Sequence, residues 1–435
     1  MFERFWWWKI ALAALAAMPA VALRALGCSV PPLASVLIYG GAVVASSFLL
    51  CWAAEAVQQD ISASLATAIL ALIAILPEYA IDLYFAFTSG RHPGYARFAA
   101  ANMTGSNRLL LGLGWPLMLF LLMAWGRRSG RPVTELDIKP SRRVELGFLG
   151  LVSLYALSFP LRRGIHWTDG VVLMGFYALY VWRLSREERR EPALTGTAGR
   201  LGALPWWRRR LALTVMFLWS AGVVVLAAKP FADALVNGGR ALGLDEFLLV
   251  QWVAPLSTEA PEFLVAGLLA LRGDSDTALG TLLSSKVNQW TLLVGSLPLA
   301  HLLGGGGTSL PFDARQVEEF WLTSAQTLMG FAMLTKLNMK RWEAVTLLAL
   351  FAVQFPLTGP HIRMILAGIY FILAAGLLWA HRRELPGLFR ALRLPPKSPG
   401  AALSFFAPGP LLSPVAGPGT VAGPGAPGGG KTPMA

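Results

Sequence analysis

Charged side chains are scarce in this chain of 435 residues. Asp, Glu, Lys and Arg make up 14% of it, while 55% is hydrophobic. Soluble domains carry about 25% charged residues, so the composition excludes an ordinary soluble fold. The two cysteines, Cys28 and Cys51, show no metal spacing and imply no disulfide framework. The five histidines, at 92, 166, 301, 361 and 381, stand near expected membrane edges, and none pairs at metal spacing. No H-E-x-x-H, no Ser-His set and no nucleotide motif in its proper context appears, which argues against an enzyme. Gly425 to Thr432, GAPGGGKT, does match the phosphate-loop pattern letter for letter. No strand pattern precedes it and no helix pattern follows, so the match is spurious. Strict alternation is weak too, and Leu and Ala are abundant, which argues against a β-barrel.

Long apolar runs are what the chain has. Twelve are long enough to cross a hydrocarbon core as helices: 10–26, 35–57, 62–90, 97–126, 144–160, 168–184, 210–236, 245–271, 275–304, 317–336, 341–358 and 361–381. The expected class is an all-α polytopic membrane protein of about 12 spans. The first run, after Arg4 and Lys9, reads as a retained helix rather than a signal peptide, because Arg24 interrupts any small-residue cleavage site.

The net charge of +13 looks like a nucleic-acid footprint until it is mapped. Most basic residues fall in alternate loops: Arg127 to Arg143, Arg186 to Arg210, Lys336 to Arg341, and Arg382 to Arg393. Arg162 and Arg163 are the main exceptions. Under the positive-inside rule both termini are cytoplasmic, in a plasma (inner) membrane. The surplus is a topology signal, and no nucleic-acid partner follows from it. The partners expected are membrane lipid, with Trp6 to Trp8 and Trp206–Trp207 as interfacial anchors, and small inorganic cations.

Two stretches resemble each other. ALIAILPEYA (71–80) and VAPLSTEAPEF (253–263) each set Pro-Glu inside an apolar helix. Each is followed by a hydrophilic break and a second patterned segment, ANMTGSNRLLLGLG (101–114) and LGTLLSSKVNQWTLLVG (279–295). An odd number of helices, five, separates the copies, so they enter the membrane in opposite directions. That is the signature of an inverted-repeat transporter with a midplane site. The expected division is an extra helix within 1–34, a first repeat over 35–184 with its motif at 71–114, and a basic connector over 185–209. A second repeat covers 210–358 with its motif at 253–295; an extra helix over 359–383 follows, then a cytoplasmic tail over 384–435 that is basic at first and Pro/Gly-rich and disordered from about 394.

Proline removes a backbone N–H and frees a carbonyl one turn earlier. In a membrane that is tolerable only beside protein or a water-filled cavity. Pro77 and Pro261 are therefore expected to break their helices, and free carbonyls beside carboxylates and hydroxyls make an oxygen cage for hard cations. Glu78 and Glu262 would face each other, completed by Ser106, Ser285, Asn102 and Gln289. Either motif alone is equally compatible with a glutamate that ties helices together and a proline that only kinks. Matching positions in two halves favour a shared site, since intramembrane charges are costly.

Paired Pro-Glu and Gly-Ser-Asn motifs in inverted halves resemble the α-repeats of the Ca²⁺/cation antiporter superfamily, the sodium/calcium exchanger group. The resemblance covers roughly 35–358, ten core helices with one extra at each end. It implies that the Pro-adjacent glutamates bind Ca²⁺ and that nearby Ser and Thr residues bind Na⁺. On this chain those roles fall to Glu78, Glu262, Ser106, Ser285 and Thr258.

The departures matter as much. The family's usual G-T-S-x-P-E is Ile73-Ala74-Ile75-Leu76-Pro77-Glu78 in the first copy and Ser257-Thr258-Glu259-Ala260-Pro261-Glu262 in the second. Leu110 and Gln289 stand where the family has Asn or Asp, Lys286 replaces an asparagine, and Asp82 adds an acid. Na⁺ ligands are depleted while ionisable groups increase. Glu259, Asp82 and Lys286 are candidates for proton coupling, with Lys286 as a fixed internal cation. The alternatives stay open: Lys286 pairs structurally with an acid, Asp82 meets water at a helix end, and Glu259 caps a broken helix. The expected function is a secondary active antiporter that exchanges Ca²⁺ against Na⁺ or H⁺ by alternating access. It needs no cofactor beyond the transported cation. A Na⁺/H⁺ or other monovalent exchanger and a non-transporting cation sensor are the alternatives.

Overall fold

Apolar segments in hydrocarbon must satisfy every backbone N–H and C=O internally, so they fold as helices. The computed structural model describes residues 7–57, 76–184, 196–355 and 359–393. Expectations about 58–75, 185–195 and the GAPGGGKT stretch lie outside the described residues. The chain opens with α1 (Trp7–Leu26), α2 (Pro32–Val57) and α3 (Leu76–Ser89). Next come α4 (Ala96–Leu109), α5 (Trp115–Arg128), α6 (Arg143–Ala156), α7 (Ser158–Arg162) and α8 (Trp167–Leu184). A short α9 (Gly196–Gly202) leads to α10 (Trp206–Leu242) and α11 (Glu246–Ala270). They are followed by α12 (Ser275–Asn288), α13 (Val294–Leu303), α14 (Ala314–Leu334), α15 (Arg341–Val353), α16 (Pro360–Ala380) and α17 (Leu385–Leu392).

Local chemistry sets several starts. Asp245, Asp274 and Asp313 each accept a backbone N–H at a helix N-terminus, from Phe247, Thr277 and Gln316. Gly243 closes α10 with a φ of +65°, a left-handed conformation that glycine takes without cost. Among the described residues, six segments are long and apolar enough by themselves to cross a membrane: Trp7–Leu26, Pro32–Val57, Pro93–Arg128, Pro140–Arg162, Trp206–Leu242 and His361–Ala380. Others, such as α11 with Glu246, Glu259 and Glu262, carry the charges that build the interior and so read as less apolar. The chain is a multi-pass helical membrane protein built on two inverted repeats.

α2 and α10 pack along each other, α11 packs on α4, and α14 packs on α16. Glycine permits the first contact: a Cβ on Gly40 would lie 2.8 Å from the Phe231 ring. Two short antiparallel ribbons join the halves. β1 (Glu135–Asp137) pairs with β4 (Asn338–Lys340), and β2 (Gly164–His166) pairs with β3 (Ser309–Pro311). One ribbon strand precedes α6 and another follows α7; likewise β3 precedes α14 and β4 follows it.

One expectation is corrected. Pro261 does not break its helix: α11 runs without interruption from Glu246 to Ala270. A proline removes only its own N–H bond, and the turns on either side carry the helix past it. The residues before Leu76 lie outside the described ones, so the expectation for Pro77 lies at their edge. The basic start of the 384–435 tail carries α17, and its Pro/Gly-rich part lies outside the described residues. Leu385, Leu388, Phe389 and Leu392 recur at helical spacing in α17, and Leu388 is buried.

Candidate cation site

Antiparallel α3 and α4 form a ladder of polar rungs. Ser106 Oγ lies 2.5 Å from Glu78 Oε1. One turn along both helices, Asn102 Nδ2 donates to Asp82 Oδ1 at 2.8 Å. Side chains four apart share a helix face, so the sequence spacing alone stacks these rungs. All four residues are buried, and Asp82, fully enclosed, does not meet water.

The second half supplies α11, and the contact that crosses between halves is made by Glu259. Ser106 Oγ also hydrogen-bonds Glu259 Oε1. Gln289 Nε2 completes the cluster: it is 2.7 Å from Ser106 Oγ, 2.7 Å from Glu259 Oε1, and 3.3 Å from both oxygens of Glu78. Glu259 is thus inside the cluster rather than at the cap of a broken helix. Glu262 and Ser285 form a neighbouring pair at 2.5 Å. Glu78 and Glu259 meet at Ser106, and Glu262, expected to face Glu78, hydrogen-bonds Ser285 beside them. Thr258 is buried but spends its hydroxyl on carbonyls of its own helix, Ala254 at 3.3 Å and Pro255 at 3.2 Å.

Lys286 is fully buried and donates to the Asn107 carbonyl at 2.6 Å, with its ammonium 5.7 Å from the Trp290 ring centre. Among the described residues it forms no salt bridge. It therefore acts on the backbone immediately after Ser106.

Close approach of α4 to α11 depends on Gly105. A Cβ there would sit 1.8 Å from the Gln251 carbonyl oxygen. Pro255, four residues on, has no N–H to offer that carbonyl, so the proline and the glycine together make the contact. The following turns are wound as π-helix at matching places in both halves: Leu110–Gly114 after Ser106, and Gln289–Leu293 after Ser285. π turns recur at functional sites. No sequence pattern signalled them.

The site is rich in acceptors without donors. Asp82 Oδ2, Asn102 Oδ1, Glu259 Oε2 and Gln289 Oε1 are buried with no hydrogen-bond partner among the described residues. Buried polar atoms are nearly always paired, so four orphan oxygens in one cluster suit a cation. The donors are mixed, and among the described residues no three His, Cys, Asp or Glu side chains are grouped to hold a metal ion.

With this geometry established, the relatives can be placed beside it. Residues 32–186 and 212–355 match the family described as sodium/calcium exchanger protein. The chain is similar to the crystal structure of the H⁺/Ca²⁺ exchanger CAX, with a TM-score of 0.85 and 38% identity over 90% of this chain and 98% of that one. With native YfkE it shares the fold, at a TM-score of 0.58 and 15% identity over 84% of this chain and all of the other. CaxA of Alkalimonas amylolytica is 26% identical over 150 residues, 34% of this chain and 43% of that protein. The sodium/calcium exchanger MaX1 of Methanosarcina acetivorans is 25% identical over 140 residues, 31% of this chain and 37% of that protein. The matched stretch spans less than half the length of either of these two curated relatives. The site and the family match across both halves lead to one assignment: the chain belongs to the sodium/calcium exchanger protein family, within the Ca²⁺/cation antiporter superfamily.

Proposed function

We propose that the protein is a secondary active antiporter that exchanges Ca²⁺ against H⁺ at the Glu78–Ser106–Glu259–Gln289 cluster. One observation carries the choice of counter-ion. The Ser106 hydroxyl touches a carboxyl oxygen from each half, Glu78 and Glu259, but has one proton to give. It can donate to one carboxylate only; the other contact needs a proton on the carboxyl group. Gln289 Nε2, with two hydrogens, already serves this same set of oxygens. The cluster closes as a hydrogen-bonded unit when it holds a proton. Binding of a divalent cation to these oxygens would release that proton, which is the stoichiometric basis of exchange.

The similarity to an H⁺/Ca²⁺ exchanger at 38% identity supports the same reading. So do the orphan acceptor oxygens of Asp82, Asn102, Glu259 and Gln289. In this reading Glu262 and Ser285 form an adjoining subsite, and Lys286 occupies charge space that a Na⁺ ion would otherwise need. The repeats 35–184 and 210–358 alternate access about the cluster, with α2 and α10 sliding across it, and both termini are cytoplasmic. The test is ⁴⁵Ca²⁺ uptake by purified protein in sealed liposomes, under an outward H⁺ gradient or an outward Na⁺ gradient. Uptake driven by H⁺ and lost in Glu259→Gln is expected. Uptake driven by Na⁺ alone would overturn the counter-ion. No Ca²⁺ flux under either gradient would favour a monovalent exchanger.

A further inference from the structure

Three charged residues meet in the interior, and the cluster chemistry uses none of them. Arg108 follows Ser106 by two positions on α4, Glu319 lies on α14, and Arg363 lies on α16. Their exposures are 2%, 0% and 4%. Glu319 divides its carboxylate between the arginines: Oε2 pairs with Arg108 Nη2, and also accepts from Gln251 Nε2 at 3.0 Å, while Oε1 pairs with Arg363 Nη1. A second route closes the loop. Arg108 Nη1 donates to Gln354 Oε1 at 3.1 Å, and Gln354 Nε2 donates to the Tyr370 hydroxyl at 3.1 Å, back on α16.

α16 lies beyond residues 32–186 and 212–355, the part of the chain the family description covers. Nothing in the ten-helix plan requires it. Yet Leu366, Ala367, Tyr370 and Ala374 make a buried stripe on it, and Arg363 extends that stripe by one turn. The α4 segment at the far end of this chain of contacts is held from several sides. Gln251 Nε2 donates to Thr104 Oγ1 at 3.3 Å, Lys286 to the Asn107 carbonyl at 2.6 Å, and Gln326 Nε2 to the Arg108 carbonyl at 3.3 Å. Ser106 sits in the middle of that segment, one turn before the π turn at Leu110–Gly114.

We propose that Arg363 is a positioning residue for the cation site: through Glu319 it holds Arg108, and through Arg108 it fixes the α4 segment that presents Ser106. The proposal rests on the Ser106 cluster being the transport site. Its physical logic is competition for one carboxylate. Without Arg363, Glu319 Oε1 loses its partner, and the carboxylate, with Gln251 as a neutral donor on Oε2, turns toward Arg108 in the fork-to-fork geometry that guanidinium favours. That pulls Arg108 from Gln354 and draws α4 toward α14. Lysine, a point donor of equal charge, would restore the pairing in part. The added helix is thereby part of the site's support.

The experiment compares full-length wild type, Arg363→Gln, Arg363→Lys and Leu366→Ala in liposomes. Initial rates of ⁴⁵Ca²⁺ uptake are measured over a range of Ca²⁺ concentrations. Arg363→Gln should raise the KM for Ca²⁺ about tenfold with a smaller change in maximal rate. Arg363→Lys should recover part of it. Leu366→Ala, which loosens α16 without touching the charges, should leave KM unchanged. Hydrogen exchange of the segment 101–110 is read on the same proteins and needs no transport; it should speed up in Arg363→Gln and not in Leu366→Ala. An unchanged or lowered KM, or exchange that responds equally to both variants, would overturn the positioning role. A wild type that moves no Ca²⁺ while the exchange pattern holds would instead overturn the assignment of function.

Discussion

Gly105 lies beneath the Gln251 carbonyl, with no room between them for a methyl group: its Cβ would stand 1.8 Å from the oxygen. The residue before Ser106 is therefore fixed by the helix of the opposite half. Gly105→Ala should push α4 from α11 and separate Ser106 from Glu259. The stability cost expected for an overpacked interior is about 1–3 kcal/mol. Thermal unfolding in detergent would register the loss, and Ca²⁺ uptake should fall further than the unfolding shift explains. Unchanged transport would mean that the approach at Gly105 does not set the site.

The two acids of α11 should differ in what they control. Glu259 meets Glu78 at the Ser106 hydroxyl, whereas Glu262 pairs with Ser285. Glu259→Gln removes a charged acceptor, worth roughly 3 kcal/mol, or on the order of 100-fold in Ca²⁺ transport. Whatever flux survives should lose its dependence on the H⁺ gradient. Glu262→Gln should weaken Ca²⁺ transport yet leave the remainder responsive to pH. The measurement is uptake against pH for each variant, and identical profiles would reject the division of roles.

Lys286 touches the backbone of Asn107 rather than an acid. Lys286→Met leaves that carbonyl without its charged donor, at a cost of about 1–3 kcal/mol, and removes a fixed positive charge from the interior. Na⁺ should then compete with Ca²⁺ where it did not before. Na⁺ inhibition curves for wild type and variant decide it; curves that superimpose would show that Lys286 holds no cation's place.

Mobility should be confined to one part of the fold. Gly40 lets α2 lie on the Phe231 ring of α10, so Gly40→Val should slow transport by an order of magnitude if these helices slide, given a crowding cost near ~1–3 kcal/mol. The ribbons should be static. Glu135 and Lys340 are direct partners across β1 and β4. Cysteines at both positions, joined by a short bifunctional reagent after Cys28 and Cys51 are changed to serine, should leave uptake intact. Loss of uptake on cross-linking would place the moving boundary at the ribbon instead.

Much of this was legible in the sequence. Among the described residues most apolar runs match helices to within a few residues, because hydrocarbon leaves the backbone no alternative, although α10 runs on to Leu242 beyond the expected 236. The repeated Pro-Glu and serine positions led to Glu78, Ser106 and Gln289. Which α11 acid reaches Ser106 was not legible. Glu259 and Glu262 are three apart and share a face, and the ~100° turn per residue makes the outcome depend on how α11 crosses α4. The glycine–proline contact at Gln251 that sets this crossing joins residues far apart in the chain. The Arg108–Glu319–Arg363 group was hidden for a related reason. Glu319 and Arg363 fall near the ends of their apolar runs, where charges ordinarily face water, and only tertiary packing brings them inside. The uninterrupted α11 shows the opposite hazard, a local rule about proline overridden by the turns around it.

The ribbons carry one more consequence. β1 and β3 occupy the same place in their respective halves, and so do β2 and β4. The pairings β1 with β4 and β3 with β2 are therefore a single contact made twice, related by the pseudo-two-fold axis of the repeats. Such a contact is isologous in the sense used for homodimers. A chain carrying only one half could form both ribbons by pairing with a second copy of itself.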